Sequence, residues 1–218
     1  MEKMEMGKCI LVCAGDLEIS EIPVTSGDYV IAVDGGYLYC QVFGIIPDAV
    51  IGDFDSLEEK YLLEIEEKES DKPKLVRLKP EKDDTDTLAA LRMGLELGYR
   101  EFHFYGALGG RLEHTIANLQ CLLFLKNAGA SGYIWDGVTM TTLIKDETIS
   151  FKQEMEGMLS VFAVGGKAEG VTESGLKYEL TDAVIESDFP IGISNEFIGE
   201  KAQISVKKGA LLIMVRWE

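Results

Sequence analysis

Aspartates follow three apolar segments in the first half of the 218-residue sequence. They are Asp34 after Tyr29–Val33, Asp53 and Asp55 after Ala49–Ile51, and Asp83, Asp84 and Asp86 after Lys74–Leu78. Carboxylates that converge on one place repel each other unless a cation lies among them, and hard oxygen ligands suit Mg²⁺, which commonly bridges to substrate phosphates. Helix capping or the helix dipole is enough to explain Asp83 or Asp86 taken singly. Capping does not explain Asp53 together with Asp55, so the pattern favours a site for a metal and phosphate.

A glycine-rich segment is the second candidate for contact with phosphate. It reads Gly-Ala-Leu-Gly-Gly-Arg over residues 106–111, and it joins a predicted strand to a predicted helix. The glycines Gly109 and Gly110 allow the backbone to approach a ligand and to aim N–H groups at an anion. Such loops are common, and the spacing matches neither the P-loop nor the dinucleotide-binding pattern. The segment is therefore only supporting evidence for phosphate binding.

The helix after this loop begins with polar residues on one stripe. Arg111, His114 and Asn118 share that stripe, which continues as Cys121, Leu122 and Leu125. Because the later residues are apolar, the stripe is expected to be covered. The polar side chains of the first two turns are then expected to point into a pocket. The alternative is a partly solvated helix end that becomes buried farther along.

The elements that must position these residues alternate between strands and helices up to about residue 135. Predicted strands are Lys8–Ala14, Tyr29–Val33, Ala49–Ile51, Lys74–Leu78, Glu101–Tyr105 and Gly132–Trp135, and predicted helices are Leu57–Ser70, Thr85–Leu97 and Leu112–Asn127. Alternation of this kind predicts an α/β domain, with a mostly parallel sheet and helices on both faces. Ligands of such sheets bind at the carboxyl ends of the strands, which is where the aspartates fall.

The pattern changes near Asp136-Gly137, a dipeptide typical of a hairpin turn. The strands predicted after it come without helices: Val138–Ile144, Thr148–Phe151, Met158–Val164, Lys177–Leu180, Ala202–Val206 and Leu211–Val215. They indicate a small antiparallel β-sandwich. We therefore predict two domains, 1–140 and 141–218. Within the second, Ser194-Asn195 predicts, on its own, no more than a turn.

Composition narrows the function classes. Hydrophobic residues make up 46% of the chain and charged residues 27%, which are values of a globular protein. The net charge of −17 repels a phosphate backbone, so nucleic acid is not an expected partner. No apolar run is long enough to span a membrane and no signal-peptide pattern is visible, so we expect a cytoplasmic location. The four cysteines are expected to be buried small hydrophobes, and two histidines are too few for a zinc site.

Taken together, the motifs resemble those of the bacterial thiamin pyrophosphokinases. The matching stretches are Asp34-Gly35-Gly36, Pro47-Asp48, Gly52-Asp53-Phe54-Asp55-Ser56, Lys82-Asp83-Asp84-Thr85-Asp86, residues 109–114 with Ala117-Asn118, and Gly192-Ile193-Ser194-Asn195. Their order fits from about residue 8 to the end. The resemblance implies an α/β domain that binds ATP and a β-sandwich domain that binds thiamin. It also implies transfer of the diphosphoryl group of ATP to the thiamin hydroxyl, with release of AMP. Finally, it implies a homodimer whose active sites lie between the subunits.

The resemblance also assigns roles to residues. Asp53, Asp55 and Asp86, with Asp83 nearby, would hold Mg²⁺ and form the catalytic group. Residues assigned to ATP are Asp34, Lys82, Gly109, Gly110, Arg111, His114 and Asn118, and those assigned to thiamin are Ser194 and Asn195. Lys82 and Arg111 would offset developing negative charge, and one carboxylate, which the sequence does not single out, would accept the hydroxyl proton.

Two positions depart from the family pattern. Glu113 stands where the family usually has aspartate. No tryptophan clearly matches the one that some members place over thiamin, which leaves Tyr178, Trp217 or no residue for stacking.

Two other functions are compatible with parts of the sequence. The Asp53-Phe54-Asp55 loop after a strand also resembles the nucleophile loop of haloacid-dehalogenase-type phosphatases, in which the first aspartate is a covalent nucleophile. That interpretation leaves the glycine-rich loop and Asp83/Asp86 unexplained. A non-catalytic ligand sensor could use the same residues without turnover.

Overall fold

The computed structural model describes residues 7–54, 57, 59–66, 73–79 and 84–217. The chain forms two compact units, Met1–Gly137 and Val138–Glu218. The first is an α/β unit with a parallel sheet and the second is antiparallel and β-rich, so the predicted fold class is confirmed.

In its described part, the first unit contains six parallel strands and four helices. The strands are β1 (Cys9–Val12), β2 (Tyr29–Val33), β3 (Ala49–Gly52), β4 (Lys74–Arg77), β5 (Glu101–Tyr105) and β6 (Ser131–Asp136). The helices are α1 (Gly36–Val42), α2 (Glu59–Glu66), α3 (Asp86–Glu96) and α4 (Leu112–Asn127). The order across the sheet is β4-β3-β2-β1-β5-β6.

Strand β1 shows why these strands read as unbroken apolar runs. All four of its residues are completely buried. Ile10 and Val12 belong to the core cluster that also contains Tyr37 of α1 and Ile65 of α2. Successive side chains of a strand point to opposite faces, and the Cys9 side chain packs toward α3 on the other face. Because helices cover both faces, neither set of alternating positions is free to be polar.

The order of the strands reverses between β1 and β5. From β1 the chain adds β2, β3 and β4 on one side, and it then crosses to add β5 and β6 on the other. In open parallel sheets, ligands bind at such a reversal, outside the carboxyl ends of the strands. The loops after β1 and β5 therefore flank the expected ligand position.

The second unit is built around one long strand. Its strands are β7 (Thr139–Lys145), β8 (Thr148–Ser150), β9 (Met158–Ser174), β10 (Leu180–Ile185), β11 (Gly192–Glu196), β12 (Gln203–Ser205) and β13 (Lys208–Arg216). The first half of β9 pairs with β11 and β13, and the second half pairs with β10 and β12, all antiparallel.

The largest errors of prediction in this unit concern two strand boundaries and one predicted turn. Strand β9 continues ten residues past the predicted end at Val164, because its glycines are absorbed by a register shift against β13 rather than ending the strand. The strand predicted at Lys177–Leu180 begins only at Leu180. The Ser194-Asn195 segment lies inside β11 rather than in a simple turn, although its pairing with β9 is irregular there.

The four cysteines are free thiols in buried positions, as predicted. Burial raises the pKa of Cys9, Cys13 and Cys40 to about 12 and that of Cys121 to about 11. Among the described residues, no helix is both long enough and apolar enough to cross a membrane.

The contact between α3 and the sheet generates a stability prediction. A Cβ on Gly94 would lie 2.6 Å from the Phe102 ring and 2.8 Å from the Cys9 Sγ. Alanine gains up to about 1 kcal/mol in helix propensity, but overpacking costs about 1–3 kcal/mol. We expect Gly94→Ala to lower the free energy of unfolding by about 1–2 kcal/mol in denaturant titration. Glu96→Ala, exposed on the same helix, should stay within about 0.5 kcal/mol of the wild type. A stabilised Gly94→Ala variant would contradict the packing argument.

Candidate active site

Two of the predicted acids lie at the carboxyl ends of neighbouring strands. The backbone N–H of Asp34 donates to the Ile51 carbonyl at 2.8 Å, so the residue after β2 is tied to β3. Its φ of +49° is in the left-handed region, and its Oδ1 atom is buried. A Cβ on Gly52 would lie 3.2 Å from that oxygen. Gly52 thus leaves room for the Asp34 carboxylate directly beside the position where Asp53 follows β3.

A strained, buried phenylalanine anchors the loop that carries Asp53. Phe54 has a φ of +63° and is only 5% exposed, and the Arg77 guanidinium lies 5.6 Å from its ring centre. A left-handed conformation at a bulky residue costs free energy and persists only where packing imposes it. The burial of Phe54 and of Leu57 beyond it fixes the course of the chain at this edge of the sheet.

Helix α3 begins at Asp86, and its cap is Thr85. The Thr85 hydroxyl accepts a hydrogen bond from the Leu88 N–H at 3.2 Å. Asp86 lies in the first turn, where a carboxylate is favoured by the helix dipole. Asp84 forms an ion pair with Arg92 at 3.1 Å. The N-cap of this helix is therefore a threonine rather than an aspartate.

Three predicted site residues, Asp55, Lys82 and Asp83, lie outside the described residues. Within the described ranges, no group of three or more His, Cys, Asp or Glu side chains is arranged to hold a metal ion. The metal site therefore stays a prediction. Of its predicted ligands, Asp53 and Asp86 are among the described residues, Asp53 directly after β3 and Asp86 in the first turn of α3.

The glycine-rich loop binds an anion that belongs to the chain itself. The N–H of Gly110 donates to the Asp16 carboxylate at 3.2 Å. The N–H of Asp16 in turn donates to the Leu108 carbonyl at 2.9 Å. These two hydrogen bonds join the loop after β1 to the loop after β5. Gly109 and Gly110 both have positive φ, and a Cβ on Gly109 would clash with the Asp16 carboxylate. The loop therefore presents one N–H group, that of Gly110, to a negative charge.

Asp16 is a residue that sequence reasoning missed. It lies two residues beyond the predicted strand Lys8–Ala14, as Asp53 lies two residues beyond Ala49–Ile51, so the rule that selected the other aspartates could have found it. Its negative charge is felt by Asp136 at the end of β6. Burial raises the pKa of Asp136, and the charges of Glu18 and Asp16 raise it further.

The polar stripe of α4 divides into two parts. Arg111 is the N-cap residue, and its Nε lies 2.7 Å from Oε1 of Glu113 in an exposed ion pair. His114 is exposed as well. Asn118 is buried, and its Nδ2 donates to the Ala107 carbonyl at 2.7 Å, inside the glycine-rich loop. The expected burial of Cys121, Leu122 and Leu125 farther along is confirmed, whereas Leu112 and Ile116 are exposed.

The second unit places Ser194 and Asn195 in different environments. Ser194 is exposed with a φ of +60°, and its N–H donates to the Ser160 Oγ at 3.1 Å. Asn195 is only 6% exposed. Its Oδ1 accepts from the N–H groups of Tyr178 and Glu196, at 2.9 and 3.0 Å.

The Nδ2 of Asn195 completes a network with a buried carboxylate. It donates to the Tyr178 carbonyl at 2.7 Å and to Oε2 of Glu173 at 2.9 Å. An asparagine side chain offers two donors and two acceptor lone pairs, and all four are used here. Glu173 was missed by sequence reasoning, because the strand that carries it was predicted to end at Val164. Burial raises the pKa of Glu173, and the hydrogen bond from Asn195 lowers it by less.

Of the two candidate stacking residues, Tyr178 is the more exposed. Its exposed fraction is 61%, and the Lys177 Nζ lies 5.6 Å from its ring centre. Trp217 is half-buried, and its backbone N–H donates to the Val138 carbonyl at 3.0 Å. The Asn195 side chain binds the backbone N–H and carbonyl of Tyr178, so the exposed ring belongs to a residue whose backbone is held in place.

Comparison with known families matches each unit separately. A family described as thiamin pyrophosphokinase, catalytic domain, matches residues 24–133, and one described as thiamin pyrophosphokinase, vitamin B1 binding domain, matches residues 146–211. The fold and the two family matches thus define a two-domain α/β enzyme. The chain belongs to the thiamin pyrophosphokinase family. The phosphatase and sensor interpretations are not favoured by these findings.

Individual relatives agree with this membership. Thiamine pyrophosphokinase of Bacillus subtilis (strain 168) is 30% identical over 187 residues, which cover 85% of this chain and 86% of that protein. The crystal structure of thiamine pyrophosphokinase from Bacillus subtilis has a TM-score of 0.84 at 27% identity, covering 97% of this chain and 100% of that one. Thiamin pyrophosphokinase from Geobacillus thermodenitrificans gives 0.82 at 26% identity, with 97% and 98% covered.

The glycine-rich loop generates a paired prediction. Gly110→Ala should cost about 1–2 kcal/mol of stability, since alanine resists the left-handed conformation. Gly109→Ala should cost about 1 kcal/mol more, because its methyl group displaces the Asp16 carboxylate and breaks the bond to Gly110. In an Asp16→Ala background the two variants should unfold alike in denaturant titration. A difference that persists there would show that Asp16 is not the cause.

Glu173 generates a prediction on pH. Between the ordinary carboxyl pKa and its raised folded value, the native state holds a proton that the unfolded state has lost, so stability falls as pH rises through this window. Glu173→Gln removes this dependence. The stability of Glu173→Gln relative to the wild type should increase from about pH 4 upward and level off above the folded pKa. Thermal unfolding at a series of pH values tests this, and a constant difference would contradict it.

Proposed function

We propose that the chain transfers the diphosphoryl group of ATP to the hydroxyl of thiamin, giving thiamin diphosphate and AMP. The observation that carries the proposal is the match of a catalytic-domain family to the α/β unit and of a vitamin B1 binding family to the antiparallel unit. Membership of the family makes ATP the co-substrate. The geometry of each unit supports a role in this reaction.

The ATP phosphates are proposed to bind at the strand-order reversal of the first unit. There the glycine-rich loop already presents the Gly110 N–H to a carboxylate oxygen of Asp16, a group whose charge and acceptor atoms resemble those of a phosphate. Among the described residues, Arg111 pairs only with Glu113, in an exposed ion pair. Exposed ion pairs contribute little to stability, so the guanidinium is available to a phosphate. Lys82, His114 and Asn118 complete the proposed group, with Asn118 acting on the loop backbone.

Mg²⁺ is proposed to be held by Asp53, Asp55 and Asp86, with Asp83 nearby. Carboxylates from strand ends are the oxygen donors that this ion prefers, and the described acids at this edge fit that chemistry. When bound, the ion would neutralise phosphate charge and help to orient the phosphates. The residues of the chain supply the rest of the proposed catalysis by positioning the two substrates and by accepting the hydroxyl proton on a carboxylate.

Thiamin is proposed to contact β11 and the segment before β10 in the second unit. Ser194 has an exposed hydroxyl, and Tyr178 has an exposed ring on the segment that Asn195 fixes. A neutral hydrogen bond to the ligand from Ser194 would contribute about 0.5–1.5 kcal/mol. The saturated amide of Asn195 supports a role in orienting its neighbours.

The assembly and the compartment are further parts of the proposal. We propose a homodimer with active sites at the subunit interface, because two-fold dimers are the commonest closed assembly and the family resemblance implies one. Free buried thiols are typical of reducing compartments, which supports the cytoplasm.

A product assay tests the proposed function. The purified protein is incubated with ATP, Mg²⁺ and thiamin, and AMP and thiamin diphosphate are quantified by chromatography. Both should form in equal amounts, and AMP should not form when thiamin is omitted. Release of inorganic phosphate without thiamin diphosphate, or binding without turnover, would overturn the proposal.

The acids of the sheet edge generate a prediction on activity. Asp53→Asn and Asp55→Asn should each lower Mg²⁺-dependent turnover by at least about 100-fold through lost charge stabilisation, with an unchanged fold. Glu96→Gln is the matched control, since it removes one negative charge from an exposed position of the same unit. Initial rates with saturating substrates, together with circular dichroism, provide the measurement. Turnover like that of the wild type in both aspartate variants would rule out the metal role.

A further inference from the structure

Glu173 is a buried acid, and the pairing of β9 with its neighbours does not require a carboxyl group at this position. Only 2% of its surface is exposed, and it lies on β9 opposite Leu180 and Ile204 of the neighbouring strands. Its Oε2 accepts the hydrogen bond from Asn195, while its Oε1 is buried and has no hydrogen-bond partner among the described residues. Burying a carboxyl group with so few partners is unfavourable. An apolar side chain would pack at this position without that cost.

The carboxyl group of Glu173 completes the hydrogen bonds of the Asn195 side-chain amide. One N–H of this amide donates to the Tyr178 carbonyl, and its two lone pairs accept from the backbone N–H groups of Tyr178 and Glu196. The remaining N–H is satisfied by Glu173. Without an acceptor there, a buried donor would be left unsatisfied, and the amide would gain by rotating away from the Tyr178 peptide. Glu173 therefore completes the arrangement that holds the amide in one orientation.

The Asn195 amide holds the two segments that carry the proposed thiamin contacts, Tyr178 and Ser194. Tyr178 is held through both its N–H and its carbonyl, so the point at which its exposed side chain leaves the backbone depends on the network. Ser194 precedes Asn195 at a left-handed φ that the chain must hold in place. Lys177 and Glu196 add a second tie between the same two segments, through a 2.8 Å ion pair.

We propose that Glu173 is a positioning residue for thiamin: by accepting a hydrogen bond from Asn195 it fixes the geometry of Tyr178 and Ser194. This inference rests on the function proposed above. It assigns Glu173 no contact with either substrate, and it requires an acceptor atom at the position of Oε2 rather than a charge.

Steady-state kinetics of Glu173 variants test the proposal. Glu173→Met matches the side chain in length and lacks an acceptor, so the thiamin KM should rise about tenfold, the loss of one hydrogen bond. The ATP KM and kcat should stay within about twofold of the wild type. Glu173→Gln supplies an amide oxygen and should return the thiamin KM to within about threefold of the wild type. Glu169→Met, at a partly exposed position of the same strand where the carboxylate pairs with Lys167 and Lys208, is the matched control and should change neither KM.

Two further variants guard against misfolding and indirect effects. Glu173→Asp keeps the charge but is one methylene too short to reach Asn195, so it should raise the thiamin KM as Glu173→Met does. Adding Glu173→Met to Asn195→Ala should raise the thiamin KM no further, because the residue acts through Asn195. A wild-type thiamin KM in Glu173→Asp, equal losses in kcat and in both KM values, or an additive double variant would each overturn the proposal.

Hydrogen exchange provides a readout that does not depend on activity. The amide protons of Tyr178 and Glu196 should exchange faster in Glu173→Met than in the wild type, and Glu173→Gln should restore their protection. If the wild type forms no thiamin diphosphate, the proposed function fails, while the exchange rates still report whether the network depends on Glu173. Unchanged exchange in Glu173→Met would overturn the positioning role itself.

Discussion

The parallel arrangement of β1 to β6, with its reversal of strand order between β1 and β5, is the constraint on which the first unit depends. Because all six described strands run parallel, their carboxyl ends lie along one edge, and every residue that follows a strand is brought there. Asp16, Asp34, Asp53 and the glycine-rich loop reach that edge from four different strands. The same parallel order needs helical crossovers on both faces, which is why the strands consist of unbroken apolar runs.

Much of this fold could be predicted from the sequence, because its signals are local. Apolar runs, helical periodicity and the change near residue 137 identify the two units and most of their elements. The errors occur where pairing between distant segments decides the outcome. Strand β9 continues through glycines because β13 and β10 accept a shifted register, and Ser194-Asn195 becomes part of β11 because β9 is there to pair with it. Neither partner can be identified from the local sequence.

The candidate site shows the same division between local and distant information. Aspartates after strands and a glycine-rich loop can be recognised by position, although Asp16 was overlooked despite following the same rule. The Asn195 network could not be predicted. Its donors and acceptors come from three separate segments, and the burial of Glu173 becomes meaningful only once Asn195 is seen to donate to it. The role of a buried polar group depends on its hydrogen-bond partners, and a local sequence pattern shows that a residue is polar but not which distant residue it binds.

The burial of the cysteines affects how fast the protein reacts with oxidants and alkylating reagents. With a pKa of about 11, Cys121 is a thiolate in roughly one molecule in ten thousand at neutral pH, and the other three are ionised still more rarely. Peroxides and alkylating reagents attack the thiolate, so these sulfurs react slowly as long as the core stays closed. The rate of cysteine labelling in the native protein therefore reports how often the parallel sheet opens.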